Sequence, residues 1–463
     1  MRKLLLSALL LAVLPAAAQV RIFPGEPLGP VKNMHAVNNG PVLVKKSQTR
    51  SNMESWRAAR IPYARTHDTA LYAGYGGHHT IDISAIFPDF DADVNSPASY
   101  DFKVSDAFIA NVYSAGTEIF FRLGQSIENW AKKYDVWPPK DYKKWARICE
   151  HIIMHYNDGW ADGFHYGIQY WEIWNEADLD QHEKDWKTAP RTWGGSPRQF
   201  FEFFEVAAKY LDKRFPVLKI GGPALCGSLS WAEDFLAYMQ SHKVPMDFFS
   251  WHIYASTPER VAKMSSDVEA LMNRYGYGDA ESIINEWNYL RDWSDNFVYT
   301  LKEVNDIKGA AFCAAVMSTC QDARPDMLMY YDARPGTGFC GLYDATTLKT
   351  NPAYYAFYMW SRLKDYGTQV RTAIGGEMPD VYATAARQEE KGLAVMLCRF
   401  NDDDNVSAPR MLTVDLGGAK NEGTVYAHIT DSNHLFTEIP LEIKNGRLEL
   451  LMAPESFVFI EIR

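Results

Sequence analysis

Cysteine is scarce and unpatterned in this chain. Cys149, Cys226, Cys313, Cys320, Cys340 and Cys398 are scattered without a CxxC pair or a zinc spacing, so neither a redox dithiol nor a zinc site is expected. A disulfide such as Cys320 with Cys340 and a set of buried free thiols both stay open. Basic charge is also in short supply. The net charge is −11, which disfavours nucleic acid as a partner. Runs of like charge are absent beyond Asp402-Asp403-Asp404, which reads as a solvated hairpin tip and not as a metal loop. There is no internal repeat and no low-complexity tract. The one leading apolar run, Leu4 to Leu14, is shorter than the roughly 20 residues that a bilayer span needs.

That run instead completes a different pattern. Residues 1–18, MRKLLLSALLLAVLPAAA, have a basic start at Arg2 and Lys3, an apolar stretch, and small residues at Ala16 and Ala18. This is the layout of a secretory signal, with cleavage expected before Gln19. The expectation is therefore a periplasmic or secreted protein with no stable membrane insertion once the signal is removed. The hydrophobic share of 47% and charged share of 23% are those of an ordinary globular chain, which excludes general disorder. With 463 residues, there is room for a barrel of roughly 250 residues and an accessory module.

From residue 31 to 363, short β-rich runs alternate with stretches of helical period, the pattern of a parallel sheet closed by crossover helices. Eight strands are expected, at 33–37, 61–66, 117–122, 168–174, 217–221, 246–253, 281–285 and 308–314, with helices such as 195–214 and 257–274 between them. The fold class is α/β, a (β/α)8 barrel whose active site lies at the C-terminal strand ends. The second-to-third connection, residues 67–107, is long enough to shape that face. Residues 364–463, with 19–30 added, show short alternating runs such as VYATAA, LAVMLCRF and SFVFIEI between turn residues. They are expected to form an antiparallel β-sandwich.

Two strings end strand-like runs with the same dipeptide. GIQYWEIWNEADL delivers Asn175-Glu176 at the end of the fourth strand, and SIINEWNY delivers Asn285-Glu286 at the end of the seventh. Glycosidic cleavage with retention needs two carboxyls about 5–5.5 Å apart, one to protonate the leaving oxygen and one to attack the anomeric carbon. Opposite sides of a barrel mouth can supply them. Glu176 and Glu286 are the candidate catalytic pair.

The helpers follow from alternation along strands. In FFSWHIYAS, Ser250, His252 and Tyr254 share one face. If that face is the interior, Tyr254 reaches the nucleophile and His252 orients the acid/base or a sugar hydroxyl; the competing reading of His252 is a satisfied core histidine. Arg65, near the end of strand two, is expected either to hold Glu286 ionised by opposite charge or to pair with the inward-facing Glu172. His67, Asp68, His35 and Asn38, at or just after the ends of the first two strands, are candidate sugar ligands. Asn175 is a candidate for the sugar 2-hydroxyl, an interaction that strengthens in the transition state. Tyr330, Tyr331 and Asp332 are expected to follow the eighth strand and close the pocket, or to pack. His78 and His79 point to opposite faces of an extended segment and make poor joint ligands, so no metal is proposed.

At these residues the chain resembles glycoside hydrolase family 39. WEIWNEADL is similar to that family's acid/base string, and KIGGPAL, SWHIYAS and IINEWNY to its fifth, sixth and seventh strands. LKTNPAYYAF resembles its last helix and LAVMLCRFNDDD an accessory strand. The resemblance implies double displacement without a cofactor, Glu176 as acid/base, Glu286 as nucleophile, and Asn175, His252 and Tyr254 around the sugar. Activities in the family include β-xylosidase, α-L-iduronidase, β-galactosidase, β-glucosidase and arabinose release. The departures fall after strand eight and between strands two and three. An oligosaccharide or polysaccharide is thus the expected partner, with terminal β-xylose the leading substrate and an arabinosidase or β-galactosidase the alternative; a non-catalytic carbohydrate-binding protein is the remaining reading.

Overall fold

The computed structural model of the chain describes residues 19–43, 50–69 and 80–463. The expected export signal at residues 1–18 and the His78-His79 pair lie outside the described residues. Eight strands, Asn33–Asn38, Tyr63–Arg65, Glu118–Leu123, Tyr170–Ile173, Lys219–Leu225, Phe248–Ala255, Glu281–Tyr289 and Met327–Tyr330, close a parallel barrel in chain order. The last strand pairs back to the first. Among the described residues, no helix is long and apolar enough to cross a membrane.

One strand differs from expectation. Residues 308–314 lie inside a helix, Ile307–Asp322, and the eighth strand is the four-residue Met327–Tyr330 that follows it. The helix is buried on nearly every side, packed between the barrel and the accessory sheet. It therefore lacks a polar face, and an apolar run without period reads equally as a buried strand. Its alanines, Ala310, Ala311, Ala314 and Ala315, favour the helix. The expected helices at 195–214 and 257–274 form as Pro197–Arg214 and Pro258–Arg274, started by the side chains of Ser196 and Thr257, with Pro at the first turn where its missing N–H costs nothing.

The barrel interior is layered. Phe120, Tyr170 and Phe248, on strands three, four and six, pack ring against ring with Ala36, Ile283, Met327 and Met329. These strands are not all neighbours, so the rings meet inside the barrel. Above this apolar layer, toward the C-terminal ends, lies a buried polar one that includes Asn38, Arg65, Glu172, Ser250 and Asn285. His35 is not part of it. It sits one residue out of phase with Ala36 and Asn38, and is buried against the helix layer near Arg60 and Lys364, where burial pushes its imidazole down to about 3. The sugar-ligand role expected of His35 is therefore corrected to a packing one, because a one-residue step along a strand changes the face.

The accessory strands form one closed sheet of nine, Val20–Pro30 with the eight strands from Thr368–Ile374 to Ser456–Ile462. Pairing is antiparallel except where Val20-Arg21 runs beside Val414-Asp415. Val395 and Leu397 of Gly392–Arg399 face its own core, whereas Ala394, Met396 and Cys398 face the barrel's helices. Burial on both faces explains the unbroken apolar run AVMLC. All six thiols are unpaired, so the Cys320–Cys340 bridge does not form.

Candidate active site

The fourth strand stops at Ile173 and the chain turns through two left-handed residues, Trp174 (φ 74°) and Glu176 (φ 49°). Such conformations cost about 1–3 kcal/mol each for residues with a Cβ. They are held by Trp174 N–H donating to the Leu123 carbonyl at 2.7 Å and Glu176 N–H to that of Ala224 at 2.8 Å. Thr192 Oγ1 donates to the Glu176 carbonyl at 2.6 Å. The strand end is thus pinned to its neighbours on both sides, and Glu176 is only 7% exposed.

The seventh strand reaches the same place by another route. Its register with the eighth strand shifts between Ile284 and Trp287, and that of the sixth with the seventh shifts between Trp251 and His252. A shift of this kind re-aims side chains. Asn285 and Glu286, adjacent in sequence, both turn inward: Asn285 Nδ2 donates to Glu172, and Glu286 meets Arg65.

Arg65 is the hub. Its Nε donates to Glu172 at 2.7 Å, one terminal nitrogen to Glu286 at 2.8 Å and to Asn38 at 3.1 Å, and the other to Asn175 at 2.6 Å. Arg65 therefore pairs with Glu172 and Glu286 at once. Asn38 serves Arg65 and donates to the backbone carbonyls of Asn285 and Met329, so its amide is committed to the barrel and not to a sugar. Asn175 spends its oxygen on Arg65, while its Nδ2 is buried without a partner among the described residues.

Ser250, His252 and Tyr254 lie on one face and reach three different carboxyls. Ser250 Oγ donates to Glu172 at 2.6 Å, His252 Nδ1 lies 2.8 Å from Glu176, and the Tyr254 hydroxyl donates to Glu286 at 2.9 Å. His67 Nε2 lies 3.6 Å from both Glu286 and Asp68. Asp68 accepts from the Tyr331 hydroxyl at 3.2 Å and from Ile127 N–H at 3.3 Å. Tyr330 belongs to the eighth strand itself, Tyr331 lines the cavity, and buried Asp332 caps the Arg334 amide at 2.6 Å.

The two glutamates stand in different fields. Burial, with the nearby Asp178, pushes the Glu176 carboxyl up to about 8, against the pull of Arg65. Burial also raises Glu286, while His252 and Arg65 pull it down. The lowering expected from Arg65 is present but outweighed. Burial pushes the His252 imidazole down to about 4. Asp178 carried no distinct signal in the sequence beyond lying two residues after Glu176. It accepts from the backbone of Cys226 and Ser228, tying the fourth strand's end to the fifth's.

A cavity of about 880 Å³ opens over this group. Glu176, Glu286 and His252 line it on one side, and Trp293, Phe297 and Phe339 form an aromatic wall on another. Donor atoms of Glu176, His252 and Glu286 lie within 4.8 Å of one another. That would suit a cation, but the guanidinium of Arg65, already 2.8 Å from Glu286, supplies positive charge there. The wall residues went unrecognised in the sequence, although the one-turn spacing of Trp293 and Phe297 in a loop after a barrel strand was a usable sign.

Comparison with known proteins gives the family and the fold. Residues 49–320, which include both glutamates, match the model of glycosyl hydrolases family 39. A β-xylosidase of Geobacillus stearothermophilus is 29% identical over 197 residues, 39% of this chain and 36% of that protein. One of Caldicellulosiruptor saccharolyticus is 25% identical over 241 residues, 50% of this chain and 45% of that protein. The matched stretches thus span less than half of either relative. A glucosidase structure from Croceicoccus marinus superposes with a TM-score of 0.75 at 22% identity, covering 96% of this chain and 98% of that one, which speaks to the fold. With more than half of the chain under the family model, this protein belongs to glycosyl hydrolases family 39.

Proposed function

We propose that the protein is a retaining glycosidase that removes terminal sugars from plant-type oligosaccharides, with β-xylose the leading substrate. The observation that carries the reading is the approach of the two carboxyls, whose nearest donor atoms lie within 4.8 Å. Inverting enzymes hold their carboxyls roughly 6.5–9.5 Å apart to admit a water, and retaining enzymes about 5–5.5 Å apart.

Glu176, protonated at neutral pH, donates to the leaving oxygen as the glycosidic bond breaks. Glu286 attacks the anomeric carbon, with Arg65 and Tyr254 taking up its remaining charge until the bond to carbon forms. Glu176, now ionised, takes a proton from water, whose oxygen displaces Glu286 and releases the sugar with its original configuration. The Asn175 Nδ2, buried and without a partner among the described residues, would donate to the 2-hydroxyl, where a hydrogen bond strengthens as the oxocarbenium character develops. His67 and Asp68 complete the sugar side. The choice of xylose draws on the two β-xylosidase relatives, and export to the periplasm or exterior draws on residues 1–18.

The test is hydrolysis of aryl β-xylosides, β-glucosides, β-galactosides and α-L-arabinofuranosides by the mature protein, with the product anomer followed by NMR. The first-formed product is expected to keep the substrate's configuration; inversion excludes the scheme. A strong preference for arabinofuranosides would replace xylose and leave the mechanism standing.

A further inference from the structure

Residues 289–308 join the end of the seventh barrel strand to the long buried helix, and they carry Trp293, Phe297 and Leu301 into the cavity wall. The Trp293 ring lies 5.2 Å from that of Tyr254, the tyrosine bonded to Glu286, and 5.9 Å from Phe339. Within the segment, only Phe297–Val304 forms a further helix. Anchors come from the accessory sheet, at the 400–405 turn that had read as a solvated tip.

Two carboxylates of that turn touch the segment at its start, middle and end. The Tyr289 hydroxyl donates to Asp402 at 2.5 Å, and Arg291 donates to the Asp402 carbonyl at 2.6 Å and to its carboxylate at 3.0 Å. Arg291 also reaches Asp404 at 2.9 Å, and the Tyr299 hydroxyl donates to Asp404 at 2.6 Å. Lys308, 2% exposed at its side chain, donates to Asp404 and lies 3.2 Å from Glu455 of the same sheet. Arg291 stacks on Tyr299 at 4.2 Å. Single exposed ion pairs are worth little, but here several donors share acceptors and one cation is buried, where losing a partner is costly.

We propose that Asp402 and Asp404 are positioning residues for substrate: from the accessory sheet they fasten residues 289–308 so that Trp293, Phe297 and Leu301 stand as one wall of the catalytic cavity. The accessory sheet then takes part in substrate choice. Its wall has little to offer a hydroxyl and much to offer a flat apolar face, so it acts by stacking on whatever lies beside the reacting bond. Asp402 and Asp404 touch neither Glu176 nor Glu286, and their loss falls on binding more than on bond cleavage.

Asp404→Ala, Asp404→Glu and Asp403→Asn are compared on a p-nitrophenyl glycoside, with hydrogen exchange measured across 290–301. Among the described residues the Asp403 carboxylate accepts hydrogen bonds only from Asn405, within its own turn, and Asp403 serves as the local control. Asp404→Ala is expected to raise KM about three- to tenfold, the loss of one aromatic contact, with kcat within about twofold and faster exchange in 290–301. Asp404→Glu recovers part of the KM, and Asp403→Asn changes neither readout. If Asp404→Ala does not fold, Arg291→Lys breaks the same forked contact while keeping the charge. An unchanged KM, even with a lowered Tm, overturns the proposal by reducing the network to a structural clamp. The KM arm rests on the glycosidase reading, and an inactive wild type would sink that reading alone. Exchange in 290–301 that does not respond to Asp404→Ala overturns the positioning role in either case.

Discussion

The ends of the fourth and seventh barrel strands carry the same dipeptide, Asn-Glu, at the same height of the same barrel, and differ in nearly everything around it. Glu176 is held by its backbone, in a left-handed turn pinned to Leu123, Ala224 and Thr192. Its carboxyl meets His252, and burial, with the nearby Asp178, pushes it up to about 8. Glu286 is held by its side chain, between the Arg65 guanidinium and the Tyr254 hydroxyl. The lesson is that two identical strand ends are given different surroundings by their neighbours: burial raises both carboxyls, but Arg65 and Tyr254 donate to Glu286, whereas Asp178 adds to the rise at Glu176.

That contrast breaks most sharply at Glu286. Glu286→Ala removes the attacking group, and the rate is expected to fall more than ~10³-fold on every substrate, as for other covalent catalysts; turnover near wild type would end the assignment. Glu176→Ala should divide substrates instead. Glycosides with poor leaving groups are expected to lose about 10²-fold, the contribution of general acid catalysis, and those with very acidic leaving groups far less in the first step. Equal losses across a leaving-group series would remove the asymmetry between the two carboxyls.

The smallest effect concerns pH. As Glu176 loses its proton, kcat/KM is expected to fall above about pH 8, and Glu176→Gln should lack that limb. Stability follows the same group. Folded Glu176 holds its proton up to about 8, whereas the unfolded group releases it near 4.5. The folded state therefore binds more protons between those values, and stability should decline as pH rises through the window. Thermal melts of the wild type and Glu176→Gln from pH 5 to 9 check this. A slope common to both proteins would place the titration elsewhere.

Seven barrel strands and both glutamates were legible because parallel strands buried on both faces write continuous apolar runs, and strand ends at the barrel mouth stand out against them. The eighth strand was not. Met327–Tyr330 is four residues long, and the helix before it, buried by the accessory sheet, shows no period to separate it from a strand. His35 was misplaced by one step of alternation. Trp293, Phe297 and Phe339 were missed because loop aromatics announce their surroundings only after the loops are folded.

By itself the chain determined the order of strands, the polar dipeptides at their ends and the shared face of Ser250, His252 and Tyr254, since all of these follow from local period. Only the tertiary structure decided which partners surround each glutamate, that Arg65 serves Glu172 and Glu286 together, and that Asp402 and Asp404 reach back to the cavity wall. Most of these depend on groups brought together from distant parts of the chain, where burial removes the water that would screen them and distance in space replaces distance in sequence.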